Sequence, residues 1–592
     1  MIKSVPPAFL FILGALLIPV FKGKLKPWYL LAVPIIAFVD LVSMETGTNW
    51  VSPFLNYELI FAKVDRLSVV VGYIFILIGF LAILYSIRVR ENGQQMAAFL
   101  YVGSSLGVVF AGDYFSLFAF WEIMAMSSVF LIWYRREKES LSAGFRYLLM
   151  HLFGGGALLI GILIHAFSKG SISVGPLEEG WAFWFILIGF GLNAAFIPLH
   201  TWLPDAYPKG TVTGSVFLSV YTTKTGVYAL ARCFPGVDFV AYMGGVMAIY
   251  GIVFALLQND TRRFLSYHIV SQVGYMVAGV GTGVALGVNG GIAHVFNHIL
   301  YKALLFMCMG SILAMAGKSK LTELGGLARK MPLTCITCLV ASLSIAGVPP
   351  FNGFVSKGMV ISAAVEANKP ALELLLTLAS VGTFLSFSKL CYYTFFAKNE
   401  AIQAEDPPWN MQLAMGMTAF LCILYGVYPQ ALFNLLPAQQ VSYHPYTASH
   451  VVGVLQLFLW GLVVFTFRRV IAPEEGTVLD LDYFYRMCCR GITWLADVAF
   501  NGLRLRTQTL FSRRTNVVIQ LSKNPMLVFE GIITYFWPNV EGFYNPEAGS
   551  SKIGEPIYNE NWYRKPMGLG VCLAILMLFV YGMIYILQSK IG

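Results

Sequence analysis

Glu122, Lys224, His294, His298, Lys302, Lys357 and Lys389 stand in runs otherwise built largely of apolar residues: FAFWEIMAMSSVFLIW, SVYTTKTGVYAL, HVFNHILYKALLF, FNGFVSKGMV and FLSFSKLCYYTFF. An ionised side chain at the centre of a membrane costs about 2.5–3.5 kcal/mol on insertion scales, so each one asks for a reason. Snorkelling, in which a long stem carries the charge to the interface, is the structural alternative. It fails for Glu122, Lys224 and Lys302, which lie well inside their runs. His294, His298 and Lys302 recur at i, i+4 and i+8. Each step of four residues turns about 40° around a helix, so the three form one polar stripe able to hand protons along. As a metal site the stripe is weak, because two histidines need further ligands and no carboxylate or thiol stands near. A buried lysine suits proton transfer. Desolvation disfavours its charged form while a nearby carboxylate favours it, so a moving partner toggles it.

The elements that must hold these groups are membrane helices. Of 592 residues, 57% are hydrophobic and 12% charged, with a mean hydropathy of +0.70. That is more apolar surface than one soluble core can bury, which excludes a soluble globular enzyme. Runs long enough to cross roughly 30 Å of hydrocarbon recur about sixteen times, so the predicted fold class is an all-α polytopic membrane protein. The net charge of +10 is carried mostly in short loops rather than on one amphipathic face. It reads as topology, not as a nucleic-acid surface. If Lys22, Lys24 and Lys26 face the cytoplasm, so do Arg88, Arg135, Arg262, Lys320, Lys330 and Arg468, and the positive-inside rule puts both termini outside. The first run, Pro7 to Phe21, lacks a small-residue cleavage site and suits an uncleaved span. The nine cysteines lie mostly within apolar runs, and the sole CxxC, Cys335 to Cys338, has no second pair. Free thiols, no metal and no resident cofactor are expected.

Two segments should break their helices. IPLHTWLPDAYP carries Pro198 and Pro204, and IAGVPPFNGFVSK carries Gly347, Pro349, Pro350 and Gly353. Proline removes a backbone donor and frees a carbonyl, which in a membrane must face protein or water. Five spans in 96–231 and five in 238–396 each place the broken helix fourth, followed by a helix bearing Lys224 or Lys389, the layout of two inverted repeats. Residues 1–95 supply N-terminal membrane helices and 409–469 the C-terminal core helices. Charges return in 470–566, read as an extension on the cytoplasmic face, with amphipathic helix at about 478–523 and prolines from Pro525 to Pro566 after it. Residues 567–592 hold a final span.

The motifs PLHTWLPDAY, TKTGVYALAR, NDTRRFLSYHIVSQVGYM, HVFNHILYKALLFMCMGSI and GVPPFNGFVSKG, with WE in the fifth span, occur in this order. Together they closely resemble the antiporter-like subunits shared by respiratory complex I, Mrp-type cation/proton antiporters and membrane-bound hydrogenases, over about residues 60–430. The resemblance implies a chain of buried charges moving protons, with Na⁺ proposed for some members. It implies other membrane subunits as partners and a place in a bacterial or archaeal cytoplasmic membrane. By motif position Glu122 matches the family's glutamate, Lys224 its central basic residue, Arg262 the basic residue of a DxKR-like turn, and His294, His298 and Lys302 its linking stripe. Lys357 matches its terminal station, and His268 and Lys389 are further protonatable positions. One departure stands out: Asn193 occupies the place of the lysine that usually partners the glutamate. No nucleotide-binding loop, iron–sulfur cysteine set or flavin motif is visible, so any driving force comes from elsewhere. Two other readings stay open, a quinone-binding oxidoreductase subunit and a docking subunit with an impaired first half-channel.

Overall fold

The computed structural model describes residues 5–399, 402–440, 442–467, 472–476 and 478–523, with Tyr535, Phe536 and Met577. Apart from Met577, the expected final span and the prolines from Pro525 to Pro566 lie outside the described residues. In chain order the helices are α1 Pro7–Leu17, α2 Leu25–Ser43, α3 Arg66–Ser86, α4 Asn92–Phe110, α5 Tyr114–Trp133, α6 Lys138–Lys169, α7 Trp181–Asn193, α8 Trp202–Ala206, α9 Gly214–Leu218 and α10 Thr222–Cys233. They continue as α11 Asp238–Leu256, α12 Thr261–Thr282, α13 Ala285–Ala316, α14 Pro332–Ala346, α15 Asn352–Glu366, α16 Pro370–Cys391, α17 Trp409–Val427, α18 Gln430–Phe433 and α19 Ala448–Thr466. Nine helices among the described residues are long and apolar enough to cross a membrane, and the chain is an integral membrane protein of helical class.

Caps set where several helices begin and end. Asp65 accepts from Ser68 N, and the Ser68 hydroxyl accepts from Asp65 N, closing a reciprocal box ahead of α3. Asp113 accepts from Ser116 N at the start of α5, and Asp260 accepts from both Arg262 N and Arg263 N at the start of α12. Glycine lets α11 and α12 touch backbone to backbone. A Cβ on Gly244 would fall 2.3 Å from Ala278 N, and one on Gly274 would fall 2.5 Å from Gly244 O. Membrane helices lack a hydrophobic driving force toward one another, so such small-residue contacts fix their approach. Here they fix α12, which carries His268 and Tyr275.

Two strands that the apolar-run reading leaves as loop form an antiparallel hairpin, β1 Gly47–Phe54 and β2 Tyr57–Val64, with Val51 opposite Ile60. Asp113 holds it: Ile60 N donates to Asp113 Oδ2 at 2.7 Å, and Gly112 N donates to Ile60 O at 2.9 Å.

Both proline-bearing breaks occur where the sequence puts them, between α7 and α8 and between α14 and α15. Each contains a cis peptide bond, Ile197–Pro198 and Pro349–Pro350. A third break corrects the sequence reading, which had a single helix bear Lys224 after the first break. The chain leaves helical form at Ser219–Tyr221, between α9 and α10, with neither proline nor glycine there. Its groups are taken up by tertiary partners instead: Tyr101 OH accepts from Thr222 N at 3.0 Å and hydrogen-bonds with Thr222 Oγ1 at 2.6 Å.

Residues to Asp482 form one compact unit and those from Tyr483 another. The second contains α20 Asp482–Trp494 and α21 Asn501–Lys523, joined by a π-helical turn at Leu495–Phe500. Ile492, Trp494, Phe500 and Phe511 of these helices are exposed.

Candidate functional site

The first half of the chain contributes Glu122, Asn193 and Lys224. Glu122 lies on α5, half-buried, with Oε1 directed at Gly155 of α6, where a Cβ would meet it at 2.0 Å. That oxygen has no hydrogen-bond partner among the described residues. Asn193 ends α7, is buried, and neither atom of its amide has a partner there. The break that follows is stabilised from within its own motif: the indole Nε1 of Trp202 donates to Leu192 O at 3.0 Å, a second donor to the carbonyl that Ala195 N also reaches at 3.0 Å. Ala195 takes a left-handed backbone in this turn, φ +62°. Gly226 lets α10 close on the same turn, since a Cβ there would fall 2.7 Å from Ala194 N.

Lys224 sits in the first turn of α10, wholly buried. Its Nζ donates to Ser219 O at 2.6 Å and to Thr223 Oγ1 at 3.0 Å. The ammonium thus occupies the carbonyl that the third break frees, and the break and the lysine are one device.

From there titratable groups continue into α13. His298 lies within electrostatic reach of Lys224, Lys302, His294 and Lys357, and neither of its ring nitrogens has a hydrogen-bond partner among the described residues. Lys302 Nζ has none either, and stands 5.9 Å from the centre of the Phe387 ring of α16. The ring of His268, on α12, packs against the same Phe387 at 4.6 Å, and its Nε2 hydrogen-bonds with Ser386 Oγ at 2.8 Å. His294 and His298 have ring centres 6.3 Å apart. His294 bonds Ser356 Oγ of α15 through Nδ1 at 2.9 Å and Tyr301 OH through Nε2 at 3.3 Å. Lys357, one residue past Ser356, points its Nζ over the Tyr275 ring at 5.0 Å, again with no hydrogen-bond partner among the described residues. Glycine at the break before α15 leaves room for it, because a Cβ on Gly347, φ +85°, would fall 3.3 Å from Lys357 Cδ. Lys224, His298, Lys302, His268, His294 and Lys357 are therefore one buried row spanning α10, α13, α12 and α15.

Arg262 and Lys389 bond elsewhere. Arg262 Nη2 donates to Gly210 O at 2.9 Å and also contacts Ser215 Oγ, clamping the turns between α8 and α9. Lys389 Nζ donates to Leu256 O at 2.7 Å, the last carbonyl of α11, the position a cation takes to close a helix C-terminus.

Sequence reasoning passed over three groups. His151 of α6 is buried with Nε2 unpartnered, its ring stacked on Tyr147 at 4.1 Å and edge-on to Trp202 at 4.6 Å. Its place in the apolar run LLMHLF carries the same signal that marks the other intramembrane charges. His200, inside the PLHTW motif, is also fully buried. Asp480 is 4% exposed and bonded to Tyr250 and Tyr267. Its signal is only spatial.

Residues 111–386 match the family described as NADH:quinone oxidoreductase/Mrp antiporter, TM. An uncharacterized protein of Methanocaldococcus jannaschii is 30% identical over 374 residues, 59% of this chain and 77% of the relative. The Na(+)/H(+) antiporter subunit A1 of Staphylococcus haemolyticus is 28% identical over 553 residues, 80% of this chain and 68% of the relative. A chain of respiratory complex I from Thermus thermophilus superposes with a TM-score of 0.67 at 20% identity, covering 76% of this chain and 99% of that one, which shows a shared fold. The chain belongs to the NADH:quinone oxidoreductase/Mrp antiporter transmembrane family, the antiporter-like membrane subunits.

Proposed function

We propose that the chain is the ion-moving subunit of a multisubunit membrane complex, passing protons, or protons in exchange for Na⁺, along the row from Lys224 to Lys357. One observation carries the reading. Six titratable side chains from four helices lie buried beside one another, and Lys302 and Lys357 hold their amines without a hydrogen-bond partner among the described residues. Groups so placed are expensive to insert and poised between charged and neutral forms, so a neighbouring charge decides which is present. Glu122 supplies the first station. His294, His298 and His268 relay, and Arg262 and Lys389 hold the surrounding helix ends. The relatives named as a Na⁺/H⁺ antiporter subunit and as part of complex I support both the transported ions and membrane-subunit partners.

The rest of the topology follows the same reading. Residues 96–231 and 238–396 are inverted repeats, supported by the matching order α4, α5, α6, α7–α8, α9–α10 and α11, α12, α13, α14–α15, α16. About sixteen spans cross a bacterial or archaeal cytoplasmic membrane, with both termini outside and 470–566 on the cytoplasmic face. The test is Lys357→Ala: transport by vesicles containing the assembled complex should be lost while assembly, read on native gels, is kept. Normal pumping by that variant defeats the assignment.

A second reading, a docking subunit whose first half-channel no longer works, is favoured by Asn193 and by the bare oxygen of Glu122. Asn193→Lys separates the two. Raised transport per turnover would mean that the first half is impaired, and unchanged transport would mean that the pair is dispensable.

A further inference from the structure

Two acidic residues that follow α19 in sequence, Glu475 and Asp480, meet side chains of the helical core within the first unit. Glu475 meets Lys320 Nζ at 3.4 Å, on the loop after α13. Asp480 goes deeper. Tyr250 OH of α11 donates to its Oδ1 and Tyr267 OH of α12 to its Oδ2, each at 2.5 Å. His200 Nε2 lies 3.4 Å from Oδ2, ion-pair distance rather than a formed hydrogen bond. The His200 ring stands edge-on to Tyr250 at 4.8 Å, and its Nδ1 has no hydrogen-bond partner among the described residues.

Burying a carboxylate is costly unless partners compensate. Burial by itself would raise the Asp480 carboxyl, but His200 and the two tyrosine hydroxyls outweigh it and hold the group well below the usual carboxylate range. A permanent negative charge is thus seated beside the imidazole of the first helix break, on a segment outside the two halves that form the row. The surrounding charged and titratable groups are His200, Tyr250 and Tyr267, with Arg263 beside Tyr267. Arg146 of α6, paired with Asp205, lies within electrostatic reach of Asp482.

We propose that Asp480 is a positioning residue for proton transfer at the first break: its carboxylate, held by the two tyrosine hydroxyls, faces His200 Nε2 at 3.4 Å and orients that imidazole in the path. This makes Asp480 a working part of the path rather than part of a tether. The step is a simple proton transfer: the imidazole takes up one proton, stands as a cation beside the carboxylate, and releases one proton inward. Asp480 keeps its charge throughout. The inference rests on the ion-path reading above.

The test compares wild type with Asp480→Asn, Asp480→Glu, His200→Gln and the Asp480→Asn/His200→Gln pair, measuring proton flux against pH in vesicles containing the assembled complex. Asp480→Asn keeps the shape of the side chain and removes its charge. Flux should fall about ten-fold near neutral pH, and its pH profile should change shape, because the charge facing the imidazole is gone. Asp480→Glu should recover most of the flux, and the double variant should be no slower than His200→Gln alone. A purely structural carboxylate would lower the amplitude and leave the profile in place, and that result overturns the proposal. So does wild-type flux in Asp480→Asn, or losses that multiply in the double variant. If Asp480→Asn does not assemble, His200→Gln decides alone, since it leaves Asp480 and both tyrosines in place: unaltered flux then overturns the proposal. Lys357→Ala in the same membranes keeps the two questions apart. If it blocks flux while Asp480→Asn does not, the path stands and the role of Asp480 falls; if Lys357→Ala is inert, the path itself falls.

Discussion

Replacing Lys302 by methionine should stabilise the protein while stopping it from working. The side chain is wholly buried on α13, its Nζ has no hydrogen-bond partner among the described residues, and its favourable contact there is the Phe387 ring at 5.9 Å. Inserting such a cation costs about 2.5–3.5 kcal/mol, and a desolvated cation–π contact returns about 2 kcal/mol. Methionine has nearly the same length and flexibility, so the packing survives. The variant should therefore gain about 0.5–1.5 kcal/mol, the difference of those terms. Lys224→Met provides the contrast. Its Nζ satisfies Ser219 O and Thr223 Oγ1, and leaving a buried acceptor bare costs about 1–3 kcal/mol, which cancels most or all of the gain. The assay is reversible unfolding of the purified chain in mixed micelles by denaturing detergent, run beside proton flux in vesicles. Lys302→Met should unfold later than wild type, Lys224→Met no later, and both should lose transport. A Lys302→Met variant less stable than wild type would refute the argument that the ammonium is held at a cost for function.

Trp202→Phe keeps the bulk of the indole and removes its donor to Leu192 O; it should cost about 0.5–1.5 kcal/mol in the same unfolding assay, the net worth of one hydrogen bond, because Ala195 N still donates to that carbonyl. At Asp65 burial acts to raise the carboxyl, but the two-pronged contact from Arg232, at 2.5 and 2.6 Å, outweighs it and holds the group below its ordinary range. A carboxyl depressed in the folded state contributes stability above the unfolded value, about pH 4, and loses it as pH falls through the folded value. Wild-type stability should therefore decline below about pH 4, and Asp65→Asn should remove that part of the slope, by a modest amount because the pair is partly solvated.

The legible parts of this fold are those that chain chemistry dictates locally. Apolar runs announce α3, α5, α11 and α13 because hydrocarbon admits helices with closed backbones. Pro198 and Pro350 announce two breaks because proline cannot complete the ladder. The stripe His294, His298, Lys302 is legible for the same reason, since a period of four residues places all three on one side of a helix. The hairpin of 47–64 shows only weakly: its second strand, YELIFAKV, alternates imperfectly, and Asp113, which pins it, comes from another element. Arg262 and Lys389 show what the sequence leaves open. An intramembrane cation signals a need for partners, but whether these are backbone carbonyls at helix ends or the next proton site is decided by helices distant in sequence.

The third break shows why a sequence can name the site residues and still miss how they are held. Nothing in Ser219–Val220–Tyr221 forbids a helix. The helix ends because better partners exist elsewhere: the Tyr101 hydroxyl for the Thr222 amide, and the Lys224 ammonium for the Ser219 carbonyl. At the first break Trp202 does the same for Leu192. A freed carbonyl inside a membrane is both a cost and a site, since it must be satisfied and it can bind a cation. Where an uncharged indole satisfies it, the break is structural. Where a lysine does, proton loss would leave a neutral amine that still donates to the carbonyl but without charge assistance, so the hold of Lys224 on the α9–α10 turn would weaken with its charge. A proton leaving Lys224 would thereby alter the packing of α10 against α13, which carries the next groups of the row. This coupling needs no separate moving part, and Lys224→Arg tests it. A permanent charge should keep the turn closed, slowing hydrogen exchange at Thr222–Thr225 while transport stops, whereas exchange as fast as wild type would mean that the turn does not answer to the charge.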